Sequence, residues 1–81
     1  MSQWRKLIER IEENPKDVRF DDACKVAEWF GFSAKGTKGS HHTFARPGEP
    51  MQLNFQQRGG KLQTYQARQL IQMIEKYEDE L

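Results

Sequence analysis

The spacing of apolar residues changes twice along this chain, and that change limits the fold more than any other feature. Trp4, Leu7, Ile8 and Ile11 recur at i, i+3, i+4 and i+7, the repeat of a helix with one buried face. Met51, Leu53 and Phe55 alternate with Gln52, Asn54 and Gln56, the repeat of a strand with one buried face. Ala67, Leu70, Ile71, Ile74 and Tyr77 return to helical spacing. With 81 residues, the chain supports one thin core, burying roughly 60–65% of its unfolded surface. Helices at both ends and strands in the middle have to share it.

The punctuation between these runs sets the element order. The first helix spans residues 3–13 and ends at Asn14-Pro15, because Pro15 cannot donate and pushes Asn14 out of helical geometry. Asp21 is the expected N-cap of a second helix over 22–30, with Ala23, Val26, Ala27 and Phe30 on its stripe and Gly31 as its C′ residue. Phe32–Lys35 is then a short strand, and Gly36-Thr37-Lys38-Gly39 a turn. His41–Arg46 is a second strand, Pro47-Gly48-Glu49-Pro50 a turn, and Met51–Gln56 a third strand. Gly59-Gly60 closes the strands, and Thr64 is the expected cap of the last helix. Glu78-Asp79-Glu80 opposes that helix's dipole, which predicts fraying of its end. The expected fold class is α+β, in the order α-α-β-β-β-α. It is a three-stranded antiparallel sheet with helices on one face and the other face open. The whole of 1–81 reads as a single domain.

Composition narrows the setting. No apolar run approaches the ~20 residues of a membrane span, and the polar first residues are not a signal-peptide pattern. Cys24 is the only cysteine; it cannot form an internal disulfide, which fits a reducing, cytoplasmic setting. On a helix stripe it reads as a core residue. The net charge of +1 conceals an uneven distribution. Residues 31–68 hold Lys35, Lys38, Arg46, Arg58, Lys61 and Arg68 against Glu49 alone, whereas both flanking segments are net acidic. Such local excess charge attracts an anionic ligand.

The cationic segment also holds the only two histidines, His41 and His42, in Lys38-Gly39-Ser40-His41-His42-Thr43-Phe44. Imidazole, with an ordinary pKa of ~6.5, gives and takes protons near neutral pH. Side chains alternate across a strand, so His42 shares the core-facing side with Phe44, and His41 shares the open side with Thr43. The two rings diverge, which argues against a shared metal ion, and no metal or cofactor is expected. His41 is the better placed of the two for a substrate; a bulge at Gly39-Ser40 would exchange them. Ser40 beside a histidine on one strand does not make a hydrolytic triad, and Gly39-Ser40 lacks the spacing of a nucleotide-binding loop. A proton-transfer group among cations suits attack of a ribose 2′-hydroxyl on the adjacent phosphate, with Lys35, Lys38, Lys61 or Arg58 neutralising charge.

These residues resemble the HicA toxin family, the mRNA interferases of HicA–HicB toxin–antitoxin systems. The resemblance rests on Gly31-Phe32, Lys38 to Pro47, Gly59-Gly60-Lys61 and Tyr65-Gln66-Ala67-Arg68-Gln69. It implies a double-stranded-RNA-binding-domain-like fold and a ribonuclease that uses His41, with His42 second, as acid or base. It also implies RNA as the ligand of the basic segment, through Lys35, Lys38, Gly39 and Ser40 and through Arg46, Arg58, Lys61 and Arg68. The partner implied is a HicB-like antitoxin that covers the site. Relative to compact family members, residues 1–20 add a helix and a connector, read as cover for the core.

Two other functions fit parts of the pattern. A non-catalytic RNA-binding module would use the same cations without dependence on either histidine. A protein-interaction domain would use the open sheet face and Trp4 or Trp29.

Overall fold

The computed structural model describes residues 2–80. Three helices and a four-stranded antiparallel sheet follow in the order α1 (Ser2–Glu13), α2 (Phe20–Trp29), β1 (Ser33–Lys38), β2 (His41–Ala45), β3 (Leu53–Arg58), β4 (Lys61–Leu62) and α3 (Thr64–Tyr77). A 3-10 turn, Glu78–Glu80, tightens the end of α3 where fraying was expected. Residues 1 and 81 of the expected 1–81 domain lie outside the described residues. The strands lie side by side in chain order, so the α+β class and the antiparallel sheet hold.

The core lies between the helices and one sheet face. Ile8 and Ile11 from α1, Val26 and Ala27 from α2, and Leu70 and Ile74 from α3 meet Phe44, Leu53 and Phe55 of the sheet, all buried. Ala23 and Ala67 are completely covered; their small side chains let the helices approach closely. The Phe44 and Phe55 rings pack at 5.3 Å between centroids. No described helix is long and apolar enough to cross a membrane.

The sheet has four strands where three were expected. Gly59 and Gly60 both have positive φ, 56° and 79°, the signature of a two-residue type I′ hairpin turn. The chain therefore folds straight back, pairing Arg58 with Lys61 and Gln57 with Leu62. A strand of two residues is too short to show alternation, which is why the sequence reads only as a break.

The connector after α1 is bound into the same edge. Leu62 N–H donates to the Val18 carbonyl at 2.8 Å, and Phe20 N–H donates to the Gly60 carbonyl at 2.9 Å. With its first N–H satisfied in this way, α2 starts at Phe20, with Arg19 rather than Asp21 at the N-cap position. Asp21 falls in the first turn, where a carboxylate favours the macrodipole. At the other end, Phe32 N–H reaches the Ala27 carbonyl and Gly31 N–H the Glu28 carbonyl, at 3.0 Å each, with Gly31 at φ +88°. This is a Schellman motif, and it needs glycine at its positive-φ residue. Helix α3 likewise starts with Gln63, not Thr64, at the N-cap.

Strand β1 runs to Lys38, past the Gly36–Gly39 turn expected from the glycines. Ala34 pairs with Phe44 and Gly36 with Thr43, which leaves Lys35 as the extra residue of a bulge. The turn itself is Gly39-Ser40, with φ +64° at Gly39 alone, as in a type II′ hairpin. Every residue of β1 is exposed, so the β1–β2 hairpin extends beyond the helical layer.

Candidate nucleic-acid interface

The bulge falls in β1, and β2 is regular, so the parity of the histidines is set by the sheet. His41 pairs with Gln56, and Thr43 with Asn54. Directly opposed residues of an antiparallel pair share a face, so His41, Thr43, Asn54 and Gln56 all project from the side away from the helices. Thr43 Oγ1 donates to Asn54 Oδ1 at 3.0 Å. His41 is exposed. His42 is half-buried, its ring 4.9 Å from that of Phe20, with Thr37 Oγ1 3.4 Å from its Nδ1. The adjacent imidazoles therefore point to opposite sides of β2.

The same register gathers cations around His41. Lys38 pairs with His41 across the β1–β2 hairpin. Arg58 lies two residues beyond Gln56 on the same face of β3, and it pairs in turn with Lys61. Lys38, His41, Arg58 and Lys61 thus form a row across one end of the open face, beside the two hairpin turns. The span from β1 to β4 is three interstrand spacings, ~14 Å. Lys61 is not a bare charge: its Nζ lies 2.6 Å from Asp17 Oδ1, with both side chains more than half exposed.

Helix α3 supports this end of the sheet. The buried Gln66 accepts the Gln56 N–H on Oε1 at 2.8 Å, and Gln63 Nε2 donates to Gln56 Oε1 at 3.0 Å. These contacts satisfy the edge of β3 beyond the short β4 and fix the residue opposite His41. Tyr65, which Gln66 Nε2 reaches at 3.3 Å, is 59% exposed beside them.

The remaining sequence-selected residues separate. Gly39 and Ser40 form the hairpin turn next to His41, and Lys35 projects from the exposed bulge. Arg68 is exposed one turn into α3, off the sheet. Arg46 lies at the opposite end of β2 from His41 and has a structural task. Its Nη1 donates to the Phe30 carbonyl at 2.9 Å and its guanidinium lies 3.6 Å from the Tyr77 ring centroid. It also passes over Gly31, where an added Cβ would meet its Cδ at 3.6 Å. Arg46 thus covers the C-terminus of α2.

Sequence reasoning left out Thr43, Asn54 and Gln56 as site residues. The alternation of β3 already placed Asn54 and Gln56 on the solvent side. What was missing was the register that sets Gln56 opposite His41. It also left out Arg10, on the polar side of α1, and Arg19, in a connector that shows no periodicity. Cys24 is half-buried, and burial, then Asp21 and Glu28, pushes its thiol up to about 11, so it stays protonated and unreactive at neutral pH. Among the described residues, no group of three or more His, Cys, Asp or Glu side chains is placed to hold a metal ion.

No protein-family model, curated protein or solved structure matches the chain. The fold and the site define an α+β domain with a helical layer behind a four-stranded antiparallel sheet and a cationic, histidine-bearing row on its open face.

Proposed function

We propose that the protein is a small ribonuclease toxin similar to the HicA mRNA interferases, working in the cytoplasm and held inactive by a HicB-like antitoxin. The observation that carries this reading is the row Lys38, His41, Arg58 and Lys61 on one open sheet face. From α2 to α3, the order helix, strands, helix with the helices behind the sheet also supports a likeness to double-stranded-RNA-binding domains.

In this reading, single-stranded RNA lies across the open face with one phosphate near Lys38 and Arg58. His41 accepts the proton of the adjacent ribose 2′-hydroxyl as its oxygen attacks phosphorus. The bond from phosphorus to the 5′-oxygen breaks, and that oxygen takes a proton from the imidazolium or from water. The products are a 2′,3′-cyclic phosphate and a 5′-hydroxyl. The cations stabilise the charge that builds on the phosphate oxygens, and no metal ion enters the scheme. One positioned histidine contributes about 10²–10⁴-fold. His42, turned toward Phe20, holds the strand rather than touching substrate.

Induced expression in a bacterial host tests the reading, with growth, protein level and total RNA followed together. Wild type is expected to arrest growth and fragment RNA, and an equally abundant His41→Ala variant to do neither. Fragmentation that persists in His41→Ala would remove the histidine mechanism. A soluble, abundant, harmless wild type that still retains RNA at low salt would favour the non-catalytic binding module.

A further inference from the structure

Beyond the row on the sheet, a second concentration of positive charge lies around its β4 end. An open groove of about 340 Å³ is lined by Arg10 of α1, Asp17 and Arg19 of the connector, Gly59 and Gly60 of the β3–β4 turn, and Lys61. Three cations face it and one carboxylate. Asp17 is hydrogen-bonded to Lys61 at 2.6 Å, and that contact is the main cause that lowers its pKa. Arg10 and Arg19 act on it in the same direction. The chain has thus placed its own anion among three cations and left two uncompensated; Asp22, in the adjoining crevice beside Arg10, offsets part of the remainder.

The turn that floors the groove is open to a ligand. A Cβ added at Gly59 or Gly60 would meet nothing within 4 Å, so the glycines serve the positive φ of the turn, and the space above them is clear. The groove continues the row already described, since Lys61 pairs with Arg58 on the face that carries His41. The connector that supplies Arg19 is fixed by the Val18–Leu62 and Phe20–Gly60 backbone bonds. Its arginine is therefore held beside the sheet by the fold.

We infer that this groove is a second phosphate subsite for single-stranded RNA, in which Arg10 and Arg19 bind the backbone leading away from His41 and a phosphate displaces Asp17 from Lys61. The inference rests on the RNA reading above and extends it: the N-terminal helix and connector become part of the substrate track. The phosphate takes over a contact the protein now makes with itself, so Asp17 competes with the ligand.

The test is fluorescence anisotropy with a labelled, short single-stranded 2′-O-methyl RNA, which lacks the attacking hydroxyl and reports binding alone. Arg10→Gln with Arg19→Gln is expected to weaken binding about tenfold at low salt. Its salt slope should be smaller by about 1.4, the loss of two phosphate contacts at ≈ 0.7 each. Asp17→Asn is expected to tighten binding about threefold, removing the competitor. Arg5→Gln with Lys25→Gln removes the same charge elsewhere and is expected to change affinity less than twofold. Wild-type affinity and slope in the Arg10/Arg19 variant, or an equal loss in the Arg5/Lys25 control, overturns the inference. Weaker binding in a folded Asp17→Asn variant does so as well. If the wild type cleaves unmodified RNA while the Arg10/Arg19 variant binds normally, only this subsite is lost. If the wild type binds no RNA at low salt, the RNA reading falls and the subsite with it.

Discussion

Two neighbouring residues of one type have different tasks here because a strand turns successive side chains to opposite faces. His41 stands exposed opposite Gln56; His42 packs on Phe20 and approaches Thr37. Their substitutions should separate in the same way. Loss of the tilted ring contact in His42→Ala is expected to destabilise the fold by about 1 kcal/mol, the order measured for buried ring pairs. His41→Ala, on the surface, should stay within ~0.5 kcal/mol of wild type. Urea unfolding of the two variants checks this; the reverse order of stabilities would mean that the faces of β2 are misassigned. Alternation made this division legible in the sequence, and the regular register of β2 preserves it, since the bulge lies at Lys35 in the neighbouring strand.

At the scale of elements, one turn ties the sheet to the last helix. Glu49, in the loop between β2 and β3, accepts the Met51 N–H at 2.8 Å and Lys76 Nζ at 2.6 Å, and the Tyr77 hydroxyl donates to the same oxygen as Lys76. Arg46 lies over the Tyr77 ring and bonds the end of α2. The Lys76 contact first, then Tyr77 and the Met51 N–H, hold the Glu49 carboxyl at about 2, against an ordinary 4.5. A lowered carboxyl pKa stabilises the fold in full above the unfolded value and loses that contribution as pH falls through the folded one. Wild-type stability should therefore drop between about pH 4.5 and 2. Glu49→Gln should be less stable at pH 7, and the part of that drop due to Glu49 should vanish. Thermal melts across that range decide it, and an unchanged drop in the variant would remove Glu49 as its cause.

This cluster also marks a limit of sequence reading. Glu49 reads there as the one acid in a basic stretch, and Arg46 as a cation for RNA, because Lys76 and Tyr77, which meet them, lie on a helix far along the chain. Long-period apolar patterns and glycine positions carried the helices, β2, β3 and the Gly31 stop. Strand β4 is too short to show alternation, and the length of the β1–β2 hairpin is masked by its glycines. The anchoring of the connector depends on backbone bonds between residues 18–20 and 60–62, which leave no local pattern.

At the scale of the whole molecule, the helices and the cationic row occupy opposite sides of one thin sheet. The layer of α1, α2 and α3 buries the aromatic and aliphatic residues of a single core. The far face is left with Lys38, His41, Thr43, Asn54, Arg58 and Lys61, a polar and basic surface around one imidazole. That division leaves stability to one side of the sheet and the open, cationic side to the proposed phosphodiester substrate. The most direct test is cleavage of single-stranded RNA by the purified protein in excess EDTA, with the product ends identified by mass spectrometry. The expected fragments end in 2′,3′-cyclic phosphate and 5′-hydroxyl. The rate is expected to be lower by about 10²-fold or more in His41→Ala, with no cut where the attacking 2′-hydroxyl is methylated. Fragments with 3′-hydroxyl and 5′-phosphate ends, or a rate that His41→Ala leaves unchanged, would contradict the proposed mechanism.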